Sequence, residues 1–460
     1  MNISPAILAV GAGVLALFAA GCTSNKPFRT NFTPCDPAQT GAASASPVIE
    51  STPDYKLGFV EFDDQGWFWD ARQAKAVEQM IRSEAGIGRS NDSRGIVIVV
   101  FVHGWKNNAA TNNGNVEMFR ATLKQLGDTE MIQTNHPARK VVGVYAGWRG
   151  LSATLEPFKE LSFWERKNTA HKVGGYGAMT ELLASLEALQ KESNDSLPAG
   201  APPTELIIVG HSFGAAAVYS AISEIVAERF VNTVEHGKPL KPLGDQVILL
   251  NPAFEASRHY NLNQMALSIR QFPVNQRPVL SIFTSKGDWA THYFFPLGRF
   301  FSTLFEKERD GEQRKANLDA VGWFEPFVTH DLIYNTNVSA GALAGRNSTL
   351  NPATRKHELH SADQLRASID NIREQRGKWH PNNPAAATYY FDDSILAPRG
   401  NCRPGDPFPI VSVDKKIMKD HDDIANPVII NFLAEYILFC RTDPREQSDS
   451  RMALKNERTQ

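Results

Sequence analysis

The ten residues GIVIVVFVHG at 95–104 form an unbroken β-branched run that ends on a glycine. A strand with one solvated face alternates apolar and polar side chains, whereas a run with no polar position needs cover on both faces. KVVGVYAGW (140–148), ELIIVGH (205–211), QVILLNP (246–252) and VLSIFTS (279–285) are further apolar-leaning runs that predict strands, and KLGFVEF (56–62) and PFPIVSVDKKI (407–417) predict a first and a last strand. Between them lie helical patterns: WDARQAKAVEQMIRSEA (69–85), the face Val116, Phe119, Leu123 and Leu126, AMTELLASLEALQ (178–190), and NPVIINFLAEYILF (426–439). Strand and helix alternating in this way predict an α/β fold, a mostly parallel sheet covered on both sides.

The run at 205–211 continues into Gly210-His211-Ser212-Phe213-Gly214 and then into a small-residue helix with Ala217, Val218, Ala221, Ile222 and Ile225 on one face. A serine at a tight strand-to-helix turn is forced into a strained backbone, and the flanking glycines let neighbouring chain pass without a side-chain clash. The turn lifts the hydroxyl above the sheet and sets the Phe213 N–H at a helix N-terminus, where developing negative charge is favoured.

With these residues the chain resembles the α/β-hydrolase family in its serine esterase and lipase branch, over about 56–440. The resemblance implies a nucleophile, an acid and a base in that chain order. Ser212 is the expected nucleophile. Asp288, just past the strand VLSIFTS, is the expected acid, with Glu255 as its alternative because Asn251 occupies the nearer position. His421, between the last strand and the last helix, is the expected base, and His330 in FVTHDL is its rival. His103-Gly104-Trp105 is similar to the H-G-x loop of lipases, so the N–H groups of Phe213 and Trp105 are the expected oxyanion donors. His211 is expected to pack or hydrogen-bond locally. His357 and His360 lack the further ligand spacing of a zinc site, and no metal or cofactor is expected. The implied reaction is hydrolysis of a carboxylic ester with an apolar acyl group. Thioester or amide cleavage on the same triad, or a non-catalytic binding role, are the alternatives.

The first residues bear on location. An apolar stretch at 6–20 is short for a membrane-spanning helix, and Ala19-Ala20-Gly21 before Cys22 resembles a bacterial lipoprotein signal. That resemblance implies removal of 1–21, acylation of Cys22 and a lipid-anchored place in the cell envelope; an ordinary cleaved signal or an uncleaved anchor is the alternative. Residues 22–53, rich in Ser, Thr, Pro, Ala and Asn, are expected to form a flexible tether with a reach of roughly 30 Å. The body is expected over 54–440, with 289–402 as an aromatic, then polar insertion over the carboxyl edge of the sheet, and 441–460 as a frayed tail. In an exported chain Cys35, Cys402 and Cys440 leave room for one disulfide, for which Cys402 with Cys440 is the favoured pair. With 48 basic and 50 acidic residues among 460, no nucleic-acid partner is expected. The sequence does not fix an oligomeric state.

Overall fold

The computed structural model describes residues 23, 25–37, 46–88, 93–132, 138–152, 158–273, 275–335, 368–369, 371–372, 374–376 and 387–441. The signal segment, Cys22, His357, His360 and all but the first residue of the expected tail lie outside the described residues.

In chain order the elements that place the site are β1 (Ile49–Ser51), β2 (Tyr55–Phe62), α1 (Ala71–Ala85), β3 (Ile96–Val102), α2 (Gly114–Ile132), β4 (Lys140–Trp148), α3 (Phe158–Gly175), α4 (Ala178–Asp195), β5 (Glu205–His211), α5 (Phe213–Thr233), β6 (Gln246–Leu250), α6 (Ala256–Ser268), β7 (Leu280–Ser285), α7 (Phe295–Ser302), β8 (His330–Tyr334), β9 (Tyr389–Tyr390), β10 (Ser394–Pro398), β11 (Ile410–Val413) and α9 (Pro427–Cys440), with a short α8 (Gly311–Leu318) after α7. The strands form one open sheet in the order β1-β2-β4-β3-β5-β6-β7-β11-β8-β10-β9. From β2 to β8 all neighbours are parallel, while β1, β10 and β9 add antiparallel edges.

Every residue of β3 is buried, as its uniformly apolar sequence requires. The sheet divides the core in two. Alternate β3 residues Ile96, Ile98 and Val100 join the cluster that includes α1, α4 and α5, whereas Val97, Val99 and Phe101 join the cluster that includes α2 and α9. Helix limits follow local chemistry: the Asp70 side chain accepts the Arg72 N–H at the start of α1, and Gly86 ends it at φ 67, a left-handed value that glycine adopts without penalty. The chain passes from β3 to β4 on one side and then to β5 on the other, so β3 and β5 flank a reversal of strand order. Their carboxyl ends bound the crevice in which such sheets bind ligands.

Three sequence expectations change. The described part of 22–53 does not hang free: β1 joins the sheet, and Arg29 is buried with its guanidinium 2.9 Å from Glu50, which also pairs with Arg120 at 2.6 Å. The Arg29 guanidinium lies 3.6 Å from the centre of the Phe59 ring, and the Phe28 and Arg29 N–H groups donate to the Glu61 carboxylate. Low apolar content gives no hint of this docking, which is built from ions and backbone hydrogen bonds. Second, 289–402 is not wholly an insertion above the sheet, because it supplies β8, β9 and β10 to one edge. These strands are short and mixed in polarity, HDLIY in β8 for example, so they carry no buried-strand pattern. Third, Cys35, Cys402 and Cys440 are all thiols. Cys402 sits 3.3 Å from His330 Nε2, and Cys440 closes α9 in the core on the α2 face.

Removing one partner of a buried ion pair strands the other charge, at a cost of about 3–5 kcal/mol. Arg29→Ala is therefore expected to lower stability by that order in urea denaturation, and a loss below about 1 kcal/mol, the range of exposed pairs, would show that the amino-terminal segment is not part of the folded body.

Candidate active site

Ser212 stands between β5 and α5 with φ 55 and ψ −120, a backbone conformation that costs a non-glycine residue of order 1–3 kcal/mol. The packing around it enforces that conformation. The Ser212 N–H donates to the Leu250 carbonyl at 3.0 Å, and the Ser212 carbonyl accepts from Ala253 and Ala216. The exit of β3 crosses directly over this turn. A Cβ on Gly104 would lie 2.7 Å from the Ser212 Cβ, and one on Gly214 would lie 2.1 Å from the Val102 carbonyl oxygen. Only residues without side chains allow the two exits to approach so closely.

His421 reaches the turn from the segment between β11 and α9. Its Nε2 is 2.8 Å from Ser212 Oγ, and its Nδ1 is 2.9 Å from Asp288 Oδ2. The structure thus brings together Ser212, Asp288 and His421, from three distant stretches of sequence. Asp288 is 1% exposed. Its carboxylate accepts the Thr291 N–H at 3.0 Å and the Thr291 hydroxyl, and that hydroxyl oxygen accepts the Trp323 indole N–H at 2.9 Å. Burial disfavours the Asp288 charge, but His421 and the two Thr291 donors outweigh it and hold the carboxyl below its ordinary value. Burial likewise opposes a charged His421, yet the Asp288 carboxylate, with Asp422 and Asp420 behind it, raises the imidazole above its ordinary value.

The position of His421 depends on two residues whose part in the site the sequence does not reveal. Asn251, at φ 44, donates from Nδ2 to the His421 carbonyl at 2.9 Å and accepts the Ser285 N–H on Oδ1 at 2.8 Å. His211 Nε2 lies 2.9 Å from the same carbonyl, which makes it the protonated nitrogen. Burial, then the proximity of His421, lowers the His211 pKa to about 4, so the ring is a neutral donor at neutral pH. A lone polar side chain at a strand end or just past one follows no period, so neither hydrogen bond is visible before the chain is folded.

His103 fixes the glycine loop in a similar way. Its Nε2 accepts the Trp148 N–H at 3.0 Å, its Nδ1 donates to the Gly104 carbonyl at 2.9 Å, and burial lowers its pKa to about 4. Trp105 packs edge-on against Phe163 with ring centres 5.2 Å apart, and Phe163 lies 4.7 Å from the Phe213 ring. One ring therefore holds both residues whose N–H groups are the expected oxyanion donors.

The two alternative residues are elsewhere. His330 is on β8, with Nδ1 2.8 Å from Thr329 Oγ1 and Nε2 beside Cys402. Glu255 is buried against Lys167 at 2.5 Å and Arg299 at 2.9 Å; although burial opposes its charge, Lys167 and Arg299 bring its pKa down to about 2. Ligand-type atoms of His211, His421 and Asp422 lie within 4.8 Å of one another, but both ring nitrogens of His421 are already engaged by Ser212 and Asp288. An apolar cleft between α2 and α9, floored by Val99, Phe101 and Val209, lies on the α2 face of the sheet and has no triad member in its lining.

No protein-family model and no curated protein matches the chain. Among solved structures it is similar to a Trichoderma reesei cutinase in complex with a C11Y4 phosphonate inhibitor, at 17% identity, over 40% of this chain and 65% of that one, with a TM-score of 0.17. A score that low carries no inference about shared function. What stands is an α/β body with a mostly parallel open sheet and a serine, a histidine and an aspartate in hydrogen-bonding range at its carboxyl edge.

Asp288→Asn removes the principal charge that raises His421. The His421 titration midpoint, followed by the NMR shift of its ring protons, is expected to fall in that variant; an unchanged midpoint would mean that the carboxylate and the imidazole are not electrostatically coupled as their 2.9 Å contact requires.

Proposed function

We propose that the protein is a serine hydrolase of the α/β-hydrolase type that cleaves carboxylic esters with an apolar acyl group. The observation that carries this reading is the unbroken series of contacts from Thr291 through Asp288 and His421 to Ser212 Oγ, ending on a serine held at φ 55. A serine hydroxyl is a weak nucleophile and needs an adjacent base. His421 Nε2 takes the hydroxyl proton as Oγ forms its bond to the acyl carbon, and the carbonyl electron pair moves onto oxygen. The N–H groups of Phe213 and Trp105 receive that oxyanion. When the carbonyl re-forms, the ester C–O bond breaks and the departing alkoxide takes the proton from Nε2. Water then repeats the sequence on the acyl-enzyme, His421 receiving its proton, and releases the acid and Ser212. Asp288 keeps the proton on Nδ1 and balances the imidazolium.

A fluorophosphonate probe tests the nucleophile: it is expected to label the wild type and not Ser212→Ala, and failure to label folded wild type would end the proposal. Hydrolysis of a short-chain activated ester is expected to fall by about 10⁴-fold or more in Ser212→Ala and His421→Ala, and to survive in His330→Ala.

The pH dependence has a definite sign. The base acts as neutral imidazole, and Asp288 raises its pKa, so kcat/KM is expected to be full above that raised value and to be lost as pH falls through it. The acid limb is expected above the ordinary histidine value of about 6.5; a limb below it would contradict His421 as the base.

A further inference from the structure

The residues directly after Asp288 form a π-helical turn, Ala290–Phe294, that runs into α7, Phe295–Ser302. One side of this segment is fixed to the body. Thr291 is bonded to Asp288, Phe295 is fully buried with Trp164 6.3 Å away, and Arg299 turns inward onto Glu255 and the Asn317 side chain. The other side is bare: Trp289, Tyr293, Phe294, Leu297, Phe301 and Phe305 are all at least half exposed, Phe305 almost completely. Phe294, Leu297 and Phe301 keep the spacing of one face of α7, the Trp289 ring lies 5.5 Å from Tyr293 and 4.7 Å from Phe294, and Phe305 follows in the turn beyond α7. Together they expose on the order of several hundred Å² of apolar surface, the size that on a monomer commonly marks an interaction site. Arg299 is the one formally charged residue between 289 and 305, and it faces inward. His292 is stacked on Trp323 with ring centres 3.8 Å apart, and desolvation lowers its pKa.

The start of the described chain is on the same edge. The Thr23 N–H donates to the Ser152 carbonyl at 2.9 Å, and Arg149 Nη1 donates to the Thr23 carbonyl at 3.3 Å. Arg149 and Ser152 follow β4, as Trp289 follows β7, and β4 and β7 are parallel members of one sheet with β3, β5 and β6 between them. At about 4.8 Å per strand, Thr23 emerges roughly 20 Å from the aromatic stripe, with Ser212 between them at the end of β5. Two residues, Gly21 and Cys22, separate Thr23 from Ala20, the end of the apolar stretch at 6–20, and the three Cα-to-Cα steps span at most about 11 Å. A chain held in a bilayer by that stretch, or by an acyl group on Cys22, therefore has its body at the lipid surface with the carboxyl edge leading.

We propose that the stripe from Trp289 to Phe305 is a lipid-docking face that seats the carboxyl edge of the sheet on a bilayer, so that Ser212 opens toward lipid. If the hydrolase reading holds, its ester is delivered from the membrane; the docking does not depend on that reading. The test uses the full chain in phosphatidylethanolamine–phosphatidylglycerol vesicles with brominated acyl chains. No tryptophan precedes Trp67, so the inserted stretch carries no emitter of its own, and Trp67→Phe, present in every chain compared, removes the exposed indole that follows β2 on the edge where Thr23 is held. Bromine is expected to quench tryptophan emission in the otherwise wild-type chain, and most of that quenching is expected to be lost in Trp289→Phe and in the double variant Phe301→Asp/Phe305→Asp. The double variant is expected to keep its fluorophosphonate labelling at Ser212, which shows that it is folded. Equal emission in brominated and plain vesicles, or quenching that survives the double variant, would overturn the proposal. So would a dimer in solution that the same double variant dissolves, since a second copy would then cover the face. Quenching in an otherwise wild-type chain that takes no fluorophosphonate would leave the docking standing and remove the hydrolase reading alone.

Discussion

The site exists because two neighbouring strand exits touch through positions that carry no side chain. Gly104 lies over the Ser212 Cβ and Gly214 lies beneath the Val102 carbonyl, each closer than a methyl group would allow. From this contact follow the strain at Ser212 and the placement of its Oγ at the carboxyl edge, beside the exit of β3. The strain of order 1–3 kcal/mol is small beside the burial of β3 and β5 that imposes it. The glycines offer shape without chemistry; the chemistry comes from loops that arrive at the same edge.

Those loops are secured through their backbones more than through their reactive atoms. His421 is held by its carbonyl, which Asn251 and His211 both engage, leaving both ring nitrogens for Ser212 and Asp288. Asp288 in turn is gripped by Thr291, which Trp323 grips. Burial of an aspartate is costly in itself; here each hydrogen bond it accepts lowers that cost and fixes the carboxylate direction. A neutral, buried His211 suits its place, since an imidazolium there would oppose a charged His421, whose pKa Asp288 raises.

Much of this was legible in the sequence, and the remainder has a physical reason for being hidden. Runs such as GIVIVVFVHG and the small-residue helix after Ser212 report burial residue by residue, so the parallel centre of the sheet could be read directly. Ser212, Asp288 and His421 could be singled out because each follows a strand, and the folded chain sets them within 2.9 Å of their neighbours. The edge strands β8, β9 and β10 left no such trace, since partial exposure permits polar residues. The docking of Arg29 was hidden for the opposite reason: a low-apolar segment is held by an ion pair to Glu50, twenty-one residues on, and by backbone N–H groups that donate to Glu61 in β2. Asn251 and Thr291 act through a few hydrogen bonds each, which have no pattern to read.

Glu255 gives the aromatic segment a mechanical character. It receives Lys167 from α3, Arg258 from α6 and Arg299 from α7, so three helices share one buried carboxylate. Swinging α7 outward would part Arg299 from that carboxylate and leave a charge imbalance in a dry interior, a penalty of several kcal/mol. The segment is in this sense a keel and not a door: a shared buried carboxylate ties its angle to the two helices beside it, and leaving that angle carries the cost of the broken pair.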